Sequence, residues 1–425
     1  MFLLCATIDL PIMLRIQSGL TAAALLPKIE RMFELSTAKI RSIEQTWSPA
    51  AGSPVCTVNG RYASRGWTEW TQGFQFGSAI LQFDATGDRE FLDIGRERTV
   101  ALMAPHVTHI GVHDHGFNNV STYGNLLRLM NEGRIPEDAW ERRFYELALK
   151  SSGAVQAARW SRTVDGGGYI YSFNGPHSLF VDTIRSVRAL VVAHQLGHVL
   201  MGENDKKISL LDRAEAHIRA TAKYSVYYGE GRDAYDVRGR TAHEAVFNTN
   251  DGNFRCPSSQ QGYSPFSTWT RGLAWAMCGF AEQLEFFPSG DLAAVMEKAA
   301  RATCDFFIEN TREDGIPSWD TASSDPIDSS AAVIGAQGLL RLGRHLQVER
   351  YIEAGLTVAN SLFDAPYLST DPDHQGLILH SVYHRPNGWN WEPGESSMWG
   401  DYHARELGLY ILRLAGSQPY LKFWQ

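Results

Sequence analysis

The stretch LPKIERMFELSTAKIRSIEQT, Leu26–Thr46, repeats its apolar residues at steps of three and four. That spacing places them on one face of an α-helix. Similar helical patterns follow over residues 137–159, 210–224, 292–310, 329–342, 349–363 and 402–414. Alternation typical of strands is scarce, although GYIYSF at residues 168–173 fits a short strand or hairpin arm. The sequence therefore predicts an all-α protein.

Loops rich in glycine, proline and asparagine separate the predicted helices, at residues 165–176, 248–264, 320–328 and 386–397. Weak self-similarity accompanies them, because LLRL at residues 126–129 and 339–342 and ILRL at residues 411–414 each end a predicted helix. Repeated helix–loop–helix units are typical of helical barrels and solenoids. About twelve helices fit this length, which predicts six helical hairpins closed into a toroid. A two-domain all-α protein is the alternative.

The charge and cysteine content of the chain limit the kinds of ligand that we expect it to bind. The chain has 425 residues, a formal net charge of −8 and no run of lysine and arginine, which argues against nucleic acid. An acidic protein can still bind an anionic ligand through a local arginine pocket. The five cysteines are scattered and odd in number, which favours a reducing compartment and no zinc framework.

The first residues, MFLLCATIDLPIMLRIQ, form an apolar run that is too short to span a bilayer. They lack the basic start and the cleavage site of a signal peptide. We predict a poorly ordered or loosely packed leader at residues 1–25 and a single domain at residues 26–425. We expect a cytoplasmic protein without membrane association, with export through a poor N-terminal signal as the alternative, and either a monomer or a homodimer.

The segment QGYSPFSTWTRGLAW, residues 261–275, carries the strongest chemical signal. Arg271 and Trp275 are four residues apart and share one face of a predicted helix, and Gln261 lies in the preceding loop. A guanidinium can bind a carboxylate through two hydrogen bonds, and an indole can stack on a pyranose. These residues predict a receptor for a carboxylated sugar. An ordinary amphipathic helix with a buried tryptophan is the alternative.

Asp114 lies in the sequence His-Asp-His-Gly-Phe at residues 113–117, between two imidazoles. Its carboxylate could act as a catalytic base or accept hydrogen bonds from sugar hydroxyls. Because residues 120–130 follow with a helical pattern, an ordinary helix N-cap is the alternative.

Asp182 follows the apolar residues Leu179, Phe180 and Val181 and opens a predicted helix over residues 183–200. Apolar neighbours would raise the pKa of its carboxyl, as a general acid requires. The helix N-terminus and Arg185 would favour the ionised form. Capping is again the alternative.

A metal site formed by His113, Asp114, His115 and His243 lacks a recognisable ligand spacing. Neither a phosphate-binding Walker sequence nor a GxSxG nucleophile sequence occurs in the chain. We therefore expect neither a metal nor another cofactor.

Several further segments run in a characteristic order with those above. Together they resemble the unsaturated glucuronyl hydrolases of glycoside hydrolase family 88, which are related to the unsaturated rhamnogalacturonyl hydrolases. The matching segments are residues 67–74 (WTEWTQGF), 83–88 (FDATGD), 113–117 (HDHGF), 167–174 (GGYIYSFN), 179–184 (LFVDTI), His243, 261–280, 328–342, 377–386 and 398–414.

The resemblance implies an (α/α)6 barrel and no cofactor. It implies release of a Δ4,5-unsaturated uronic acid from a lyase-generated oligosaccharide, by hydration of the C4=C5 enol ether. Asp182 would protonate C4 and activate the water that adds at C5, while Asp114 would hold the ring hydroxyls and assist. The residues expected to line the sugar subsite are Trp70, His113, Phe173, His243, Gln261, Arg271 and Trp275.

The sequence departs from the family pattern near these positions. Phe173 stands where the family usually has a stacking tryptophan, and Arg185 introduces a charge close to Asp182. Arg185 either points away or binds an extra anionic group. His115, Asn118 and Asn119 replace more apolar residues. Two alternative functions follow: another sugar enzyme on the same barrel, either a hydrolase of saturated uronides or an epimerase, and a non-catalytic sugar-binding protein.

Overall fold

The computed structural model describes residues 13–64, 69–388, 392, 394–419 and 423. Helices dominate the described residues. Their bounds are α1 Leu26–Thr46, α2 Gln72–Thr86, α3 Arg89–Leu102, α4 Ala104–Val107, α5 His115–Asn118, α6 Asn125–Asn131, α7 Ala139–Ala158, α8 Thr183–Ser186, α9 Arg188–Gln195, α10 Leu210–Tyr224, α11 Thr270–Phe286, α12 Asp291–Asn310, α13 Ser329–Leu346, α14 Glu349–Leu362 and α15 Met398–Ala415. A π-helical turn, Val120–Gly124, connects α5 to α6.

The helices form two concentric rings. The inner ring contains α2, the α5–α6 unit, the α8–α9 unit, α11, α13 and α15, and each contacts the next. Because α15 also contacts α2, the ring closes on itself. The helices α1, α3, α7, α10, α12 and α14 pack outside it against their inner neighbours. The predicted toroid of six helical hairpins, an (α/α)6 barrel, is confirmed.

Most predicted helices occur close to their predicted bounds, and α1 and α10 match them. The helix predicted over residues 183–200 is wrong at its end. It divides into α8 and α9, stops at Gln195 and is followed by a strand that begins at Leu200. Gly197 has a φ of 75°, a left-handed conformation that suits glycine and ends the helix here.

Short antiparallel strands lie in the loops between helices. Within the described residues they are β1 Pro54–Val58, β2 Arg61–Ser64, β3 Trp160–Arg162, β4 Gly168–Ile170, β5 Ser178–Phe180, β6 Leu200–Met201, β7 Lys207–Ile208, β8 Glu244–Phe247 and β9 Phe254–Ser258. The strand expected within residues 168–173 is β4. The order β5–β8–β9 makes one three-stranded sheet, and the other strands form hairpins. Pairing of β5 with β8 brings Asp182, which follows β5, close to His243, which precedes β8.

The inner helices approach closely where glycine replaces a side chain. A Cβ atom built on Gly116 would lie 2.0 Å from the carbonyl oxygen of Ser186, at the contact between α5 and α8. A Cβ atom on Gly73 would lie 2.3 Å from the carbonyl oxygen of Asn118, at the contact between α2 and α5. Backbone therefore packs against backbone at these two points of the inner ring.

The leader predicted at residues 1–25 falls partly outside the described residues, which begin at residue 13. In the described part, Leu14 and Leu25 are buried. The Leu14 N–H donates to the carbonyl oxygen of Ile308 in α12. Residues 13–25 thus pack against the barrel, and the division at residue 26 stays a prediction. None of the described helices combines the length and the apolar character needed to cross a membrane.

Replacing Gly116 with alanine is expected to lower the free energy of unfolding by about 3 kcal/mol or more, the upper end of overpacking costs. The physical reason is the 2.0 Å approach of the added Cβ to Ser186 backbone. Urea unfolding followed by circular dichroism measures the change. Gly416→Ala is the control, because its nearest neighbouring atom would be 3.5 Å away. Equal stability of the two variants would contradict the close α5–α8 contact.

Candidate active site

A cavity of about 320 Å³ opens at the end of the barrel where the inner helices begin. Its described wall combines carboxylates, amides, imidazoles, a guanidinium and aromatic rings. The lining residues are Trp70, Val112, His113, Asp114, Phe117, Phe173, Asn174, Phe180, Asp182, Gln260, Gln261, Trp269, Arg271, Trp275, Tyr383, His384 and Asn387. Because helix N-termini carry partial positive charge, this end of the barrel favours a negatively charged ligand.

The two predicted catalytic carboxylates flank the His113 imidazole. His113 Nε2 lies 3.2 Å from Asp182 Oδ1 and 3.7 Å from Asp114 Oδ1. Asp114 and Asp182 stand immediately before α5 and α8, but within the described structure neither side chain caps its helix. Both residues thus occupy N-cap positions, as the alternative interpretation expects, but their carboxylates line the cavity and do not bond to the helix N-termini.

The electrostatic surroundings of Asp182 differ from those we predicted. Burial raises the pKa of its carboxyl, but the hydrogen bond from His113 and the positive charges of His113 and Arg271 lower it more, so the pKa falls below its ordinary value. Of the opposing influences expected from the sequence, those that favour the ionised form prevail, and the groups chiefly responsible come from other segments of the chain. Asp182 is the ionised carboxylate of the site.

Asp114 shows the opposite shift. Burial raises the pKa of its carboxyl, the negative charge of Asp182 adds to the increase, and together they exceed the lowering effects of His113 and Arg159. For His113, burial lowers the imidazole pKa, but the two carboxylates raise it more, so its net pKa is above the ordinary value. Within the cluster, protonation of His113 and of Asp114 is therefore favoured over protonation of Asp182.

The backbone at His113 is held by side chains from two other helices. Ser186 Oγ donates to the His113 carbonyl oxygen over 2.6 Å, and Gln156 Nε2 donates to the same oxygen over 2.7 Å. Ser186 Oγ also accepts the Gly116 N–H over 3.0 Å. These bonds fix the imidazole between the two carboxylates.

Arg271 is buried at the side of the cavity and already has protein partners. Its Nη1 pairs with Asp328 Oδ2 over 3.1 Å and also donates to the Val382 carbonyl oxygen. Its Nη2 donates to Gln261 Oε1 over 2.6 Å and to the Tyr383 carbonyl oxygen over 2.9 Å. Both terminal nitrogens are occupied, so the predicted two-bond grip on a ligand carboxylate is wrong for this geometry. Arg271 instead supplies positive charge and holds the cavity wall together.

Aromatic rings form the remaining wall. Trp70 stacks on Trp399 with ring centroids 5.0 Å apart, and its Nε1 donates to the Tyr383 hydroxyl. Trp275 packs against Phe117 with centroids 4.7 Å apart. On the opposite side, the Phe173 ring lies nearly parallel to the His113 imidazole, at 6.2 Å and 20°. The predicted residues Trp70, Phe173 and Trp275 thus all reach the cavity.

His243 lies behind the cavity wall rather than on it. Its ring packs between Phe180 and Trp269, at centroid distances of 4.5 and 4.4 Å. Its Nδ1 accepts the backbone N–H groups of Gln260 and Gln261. Burial lowers its pKa to about 4, so the ring is neutral with its proton on Nε2. The predicted direct role in lining the subsite is replaced by support of the loop that carries Gln261.

Arg185 points away from Asp182 into the barrel interior. Its Nε pairs with Glu282 over 2.6 Å, and its Nη2 pairs with Glu406 over 3.1 Å. Because both acidic partners are also buried, the pKa of Arg185 stays well above its ordinary value despite burial. Of the two expectations for Arg185, the one in which it points away is confirmed.

The other departures from the family pattern also make hydrogen bonds within the protein. His115 hydrogen bonds to Ser152 Oγ and to the His109 carbonyl oxygen, and burial lowers its pKa to about 4. Asn118 Oδ1 accepts the Gly73 N–H. Asn119 Nδ2 donates to Ser152 Oγ. These residues join neighbouring helices and are absent from the cavity lining.

The structure adds a buried carboxylate that the sequence pattern did not single out. Glu244 Oε1 accepts hydrogen bonds from Asn174 Nδ2 and Ser178 Oγ. Ser178 Oγ also contacts Ser172 Oγ, which closes the turn that carries Phe173 and Asn174. Glu244 therefore fixes one rim of the cavity, and its position next to His243 was the available signal.

Two further lining residues were present in quoted motifs without an assigned role. Trp269 lies two residues before Arg271, and its ring is 4.7 Å from the Arg271 guanidinium carbon. Tyr383, in the segment at residues 377–386, accepts a hydrogen bond from Trp70.

Three buried ring nitrogens have no hydrogen-bond partner among the described residues: Trp269 Nε1, His243 Nε2 and His113 Nδ1. No group of three or more His, Cys, Asp or Glu side chains in the described chain has metal-binding geometry.

Comparison with characterised proteins identifies relatives over most of the chain. An unsaturated glucuronyl hydrolase of Bacillus sp. (strain GL1) is 28% identical over 377 residues, which cover 84% of this chain and 90% of the relative. A second, from Formosa agariphila, is 26% identical over 80% of this chain and 78% of its own. The chain is homologous to these proteins, which confirms the resemblance drawn from the motifs. No family model matches the sequence.

Solved structures give the same result for the fold. An unsaturated glucuronyl hydrolase described as specific for heparin superposes with a TM-score of 0.75 at 21% sequence identity. The superposition covers 92% of this chain and 98% of that one. The similarity supports the (α/α)6 architecture independently of the helix contacts.

Arg271→Ala is expected to lower the free energy of unfolding by about 3–5 kcal/mol, because it leaves the buried Asp328 carboxylate without its cation. Arg271→Lys should lose less, since it keeps the charge but not the planar set of donors. Thermal unfolding measures both. Arg41→Ala, which removes an exposed pair with Glu90, is the control and should leave the melting temperature unchanged. A wild-type melting temperature for Arg271→Ala would contradict the assigned role.

Proposed function

We propose that the protein is a glycoside hydrolase that releases a Δ4,5-unsaturated uronic acid from lyase-generated oligosaccharides by hydrating the C4=C5 enol ether. The observation that carries this proposal is the Asp114–His113–Asp182 cluster inside an aromatic, positively polarised cavity. The homologous glucuronyl hydrolases support it. The substrate is an unsaturated uronate-containing oligosaccharide.

The proton that reacts comes from the hydrogen-bonded pair of His113 and Asp182. Before substrate binds, the proton is on His113 and Asp182 is ionised, as the directions of their pKa shifts indicate. Entry of a uronate expels water and adds a negative charge, and both changes raise the pKa of Asp182. The proton then passes across the 3.2 Å contact to Asp182, which delivers it to C4.

Water completes the reaction at C5. Once it has protonated C4, Asp182 is again a carboxylate and removes a proton from the water whose oxygen bonds to C5. That proton passes to His113, so the pair returns to its starting state, in which His113 is protonated and Asp182 is ionised. The product is a hemiketal at C5, which rearranges and releases the remaining sugar.

Asp114 and Arg271 have supporting roles in this proposal. The pKa of Asp114 is raised by burial, so this carboxyl takes up a proton more readily than Asp182 does. In its protonated form it can donate a hydrogen bond to a ring hydroxyl as well as accept one. Arg271 and the N-termini of the inner helices favour the uronate carboxylate electrostatically. Arg271 holds the amide oxygen of Gln261, which lines the cavity. Cytoplasmic location and assembly as a monomer or homodimer stay predictions from the sequence.

Wild-type protein should abolish the ultraviolet absorbance of the conjugated enol ether in unsaturated disaccharides, and Asp182→Asn should lower kcat by about 10²-fold or more. The reason is loss of the group that transfers the proton to C4. Asp165→Asn is the matched control, because Asp165 is an exposed carboxylate paired with Lys223. Persistence of the band with lyase products of chondroitin, heparin, hyaluronan, gellan and pectin would contradict the proposal. Turnover of saturated uronides alone would favour the alternative hydrolase.

The pH profile tests the proton source. Because the pKa of His113 lies above its ordinary value of 6.5, kcat/KM should fall as pH rises through that raised pKa and the proton is lost. In His113→Gln, Asp182 must take up the proton itself, so the decline should move to lower pH by more than about one unit. Steady-state kinetics of both proteins measure the shift. An unchanged alkaline limb in the variant would exclude His113 as the source.

A further inference from the structure

The cavity holds little more than one sugar. Its volume of about 320 Å³ is at the small end of ligand pockets. An oligosaccharide with its terminal uronate in this cavity must therefore continue over the rim. Asp114, Asp182 and Arg271 all lie inside the cavity, so they do not indicate which part of the rim the oligosaccharide crosses.

The loop at residues 259–267 leads from the cavity to the surface. Gln260 and Gln261 line the cavity, and Tyr263, two residues later, is 67% exposed. The loop is held by hydrogen bonds at both points. Trp319 Nε1 donates to the Gln261 carbonyl oxygen over 2.9 Å, and the Tyr263 N–H donates to Asp320 Oδ2 over 2.8 Å. The exposed Tyr263 ring therefore sits on a fixed backbone next to the cavity mouth.

Two more exposed rings lie on this loop and on the loop that Arg240 joins to it. Phe266, on the same loop, and Tyr235, on the loop before β8, are 43% and 56% exposed. Their ring centroids are 4.9 Å apart with an interplanar angle of 31°. Isolated exposed apolar residues are ordinary, but a pair of exposed aromatic rings, one of them on a loop that also lines a cavity, is typical of a binding surface.

The buried Arg240 guanidinium joins the two loops that carry these rings. Its Nη2 pairs with Asp233 over 2.6 Å, and its Nη1 donates to the Phe266 carbonyl oxygen over 3.2 Å. Asp233 Oδ1 in turn accepts the Tyr235 N–H over 2.8 Å. Both rings are thus held before any ligand arrives, which reduces the entropy lost on binding.

We propose that Tyr235, Tyr263 and Phe266, which we call the outer platform, bind the sugars that follow the terminal uronate of the oligosaccharide. This inference rests on the proposed function. Tyrosine and phenylalanine rings offer broad apolar faces to the C–H surface of a pyranose, and the tyrosine hydroxyls can bond to its hydroxyls. Because Tyr263 and Phe266 lie on the same loop as Gln260 and Gln261, which line the cavity, the oligosaccharide bound in the cavity is itself the occupant.

Chain-length dependence tests the platform. The wild type should show a higher kcat/KM for an unsaturated tetrasaccharide than for the disaccharide from the same lyase, by roughly threefold to tenfold. In Tyr263→Ala and in the double variant Tyr235→Ala/Phe266→Ala, that ratio should fall toward one. Tyr263→Phe should keep it. A ratio that the alanine variants leave unchanged, or a wild type without chain-length preference, overturns the platform.

Trp140→Ala is the matched control, because Trp140 is 79% exposed on the outer helix α7. Its tetrasaccharide-to-disaccharide ratio should equal that of the wild type, and a fall as large as that in Tyr263→Ala also overturns the proposal.

Calorimetric binding to the Asp182→Asn protein separates this inference from the proposed reaction. If the wild type turns over no substrate, the proposed hydration reaction fails. The platform is still supported if Asp182→Asn binds the tetrasaccharide more tightly than the disaccharide and if Asp182→Asn/Tyr263→Ala loses that difference. Equal binding of the two lengths overturns the platform while leaving turnover of the disaccharide intact. Absence of binding by either saccharide overturns both.

Discussion

The buried ion pair between Arg271 and Asp328 links the parts of the molecule from which the cavity is built. Arg271 belongs to α11, and Asp328 caps α13 through the Ser330 N–H. The same guanidinium reaches the carbonyl oxygens of Val382 and Tyr383, on the loop before α15. Three neighbouring inner-ring units thus converge on one cation. Burying an isolated charge costs free energy. This arrangement is stable because each charged or polar group in it is paired with another.

A second buried network lies behind the cavity floor and explains how an unusual charge beside Asp182 is tolerated. Arg185 is held by Glu282 and Glu406, and Arg188 also pairs with Glu282 over 3.3 Å. The partners sit on α11 and α15, on the far side of α8 from the cavity. The network is connected to the wall through His403, whose ring contacts Trp275 at 5.0 Å and whose Nε2 contacts Arg185. Its charges are balanced internally, which leaves the pKa of Asp182 to be set by nearer groups.

Local pattern predicted what depends on local spacing. The helical period placed α1 at its bounds, and the separation of four residues placed Arg271 and Trp275 on one helix face at the cavity. It could not predict the pKa direction of Asp182, because the His113 side chain is 69 residues away in sequence. Nor could it predict that the Arg271 donors already have partners in the protein, because one acceptor, the Val382 carbonyl oxygen, is 111 residues away in sequence. Such contacts exist only after the ring closes.

The position of one proton depends in turn on those long-range contacts. Ser186 ends α8, and its hydroxyl group donates to His113 and accepts from Gly116 and Gln156. One donor and two acceptors are all that a hydroxyl offers, so its capacity is fully used. His113 Nε2 lies 3.2 Å from Asp182 and 3.7 Å from Asp114, so the hydrogen bond is made to Asp182. Burial raises the pKa of both carboxyls, but at Asp182 this hydrogen bond and the nearby positive charges outweigh it, whereas at Asp114 burial prevails.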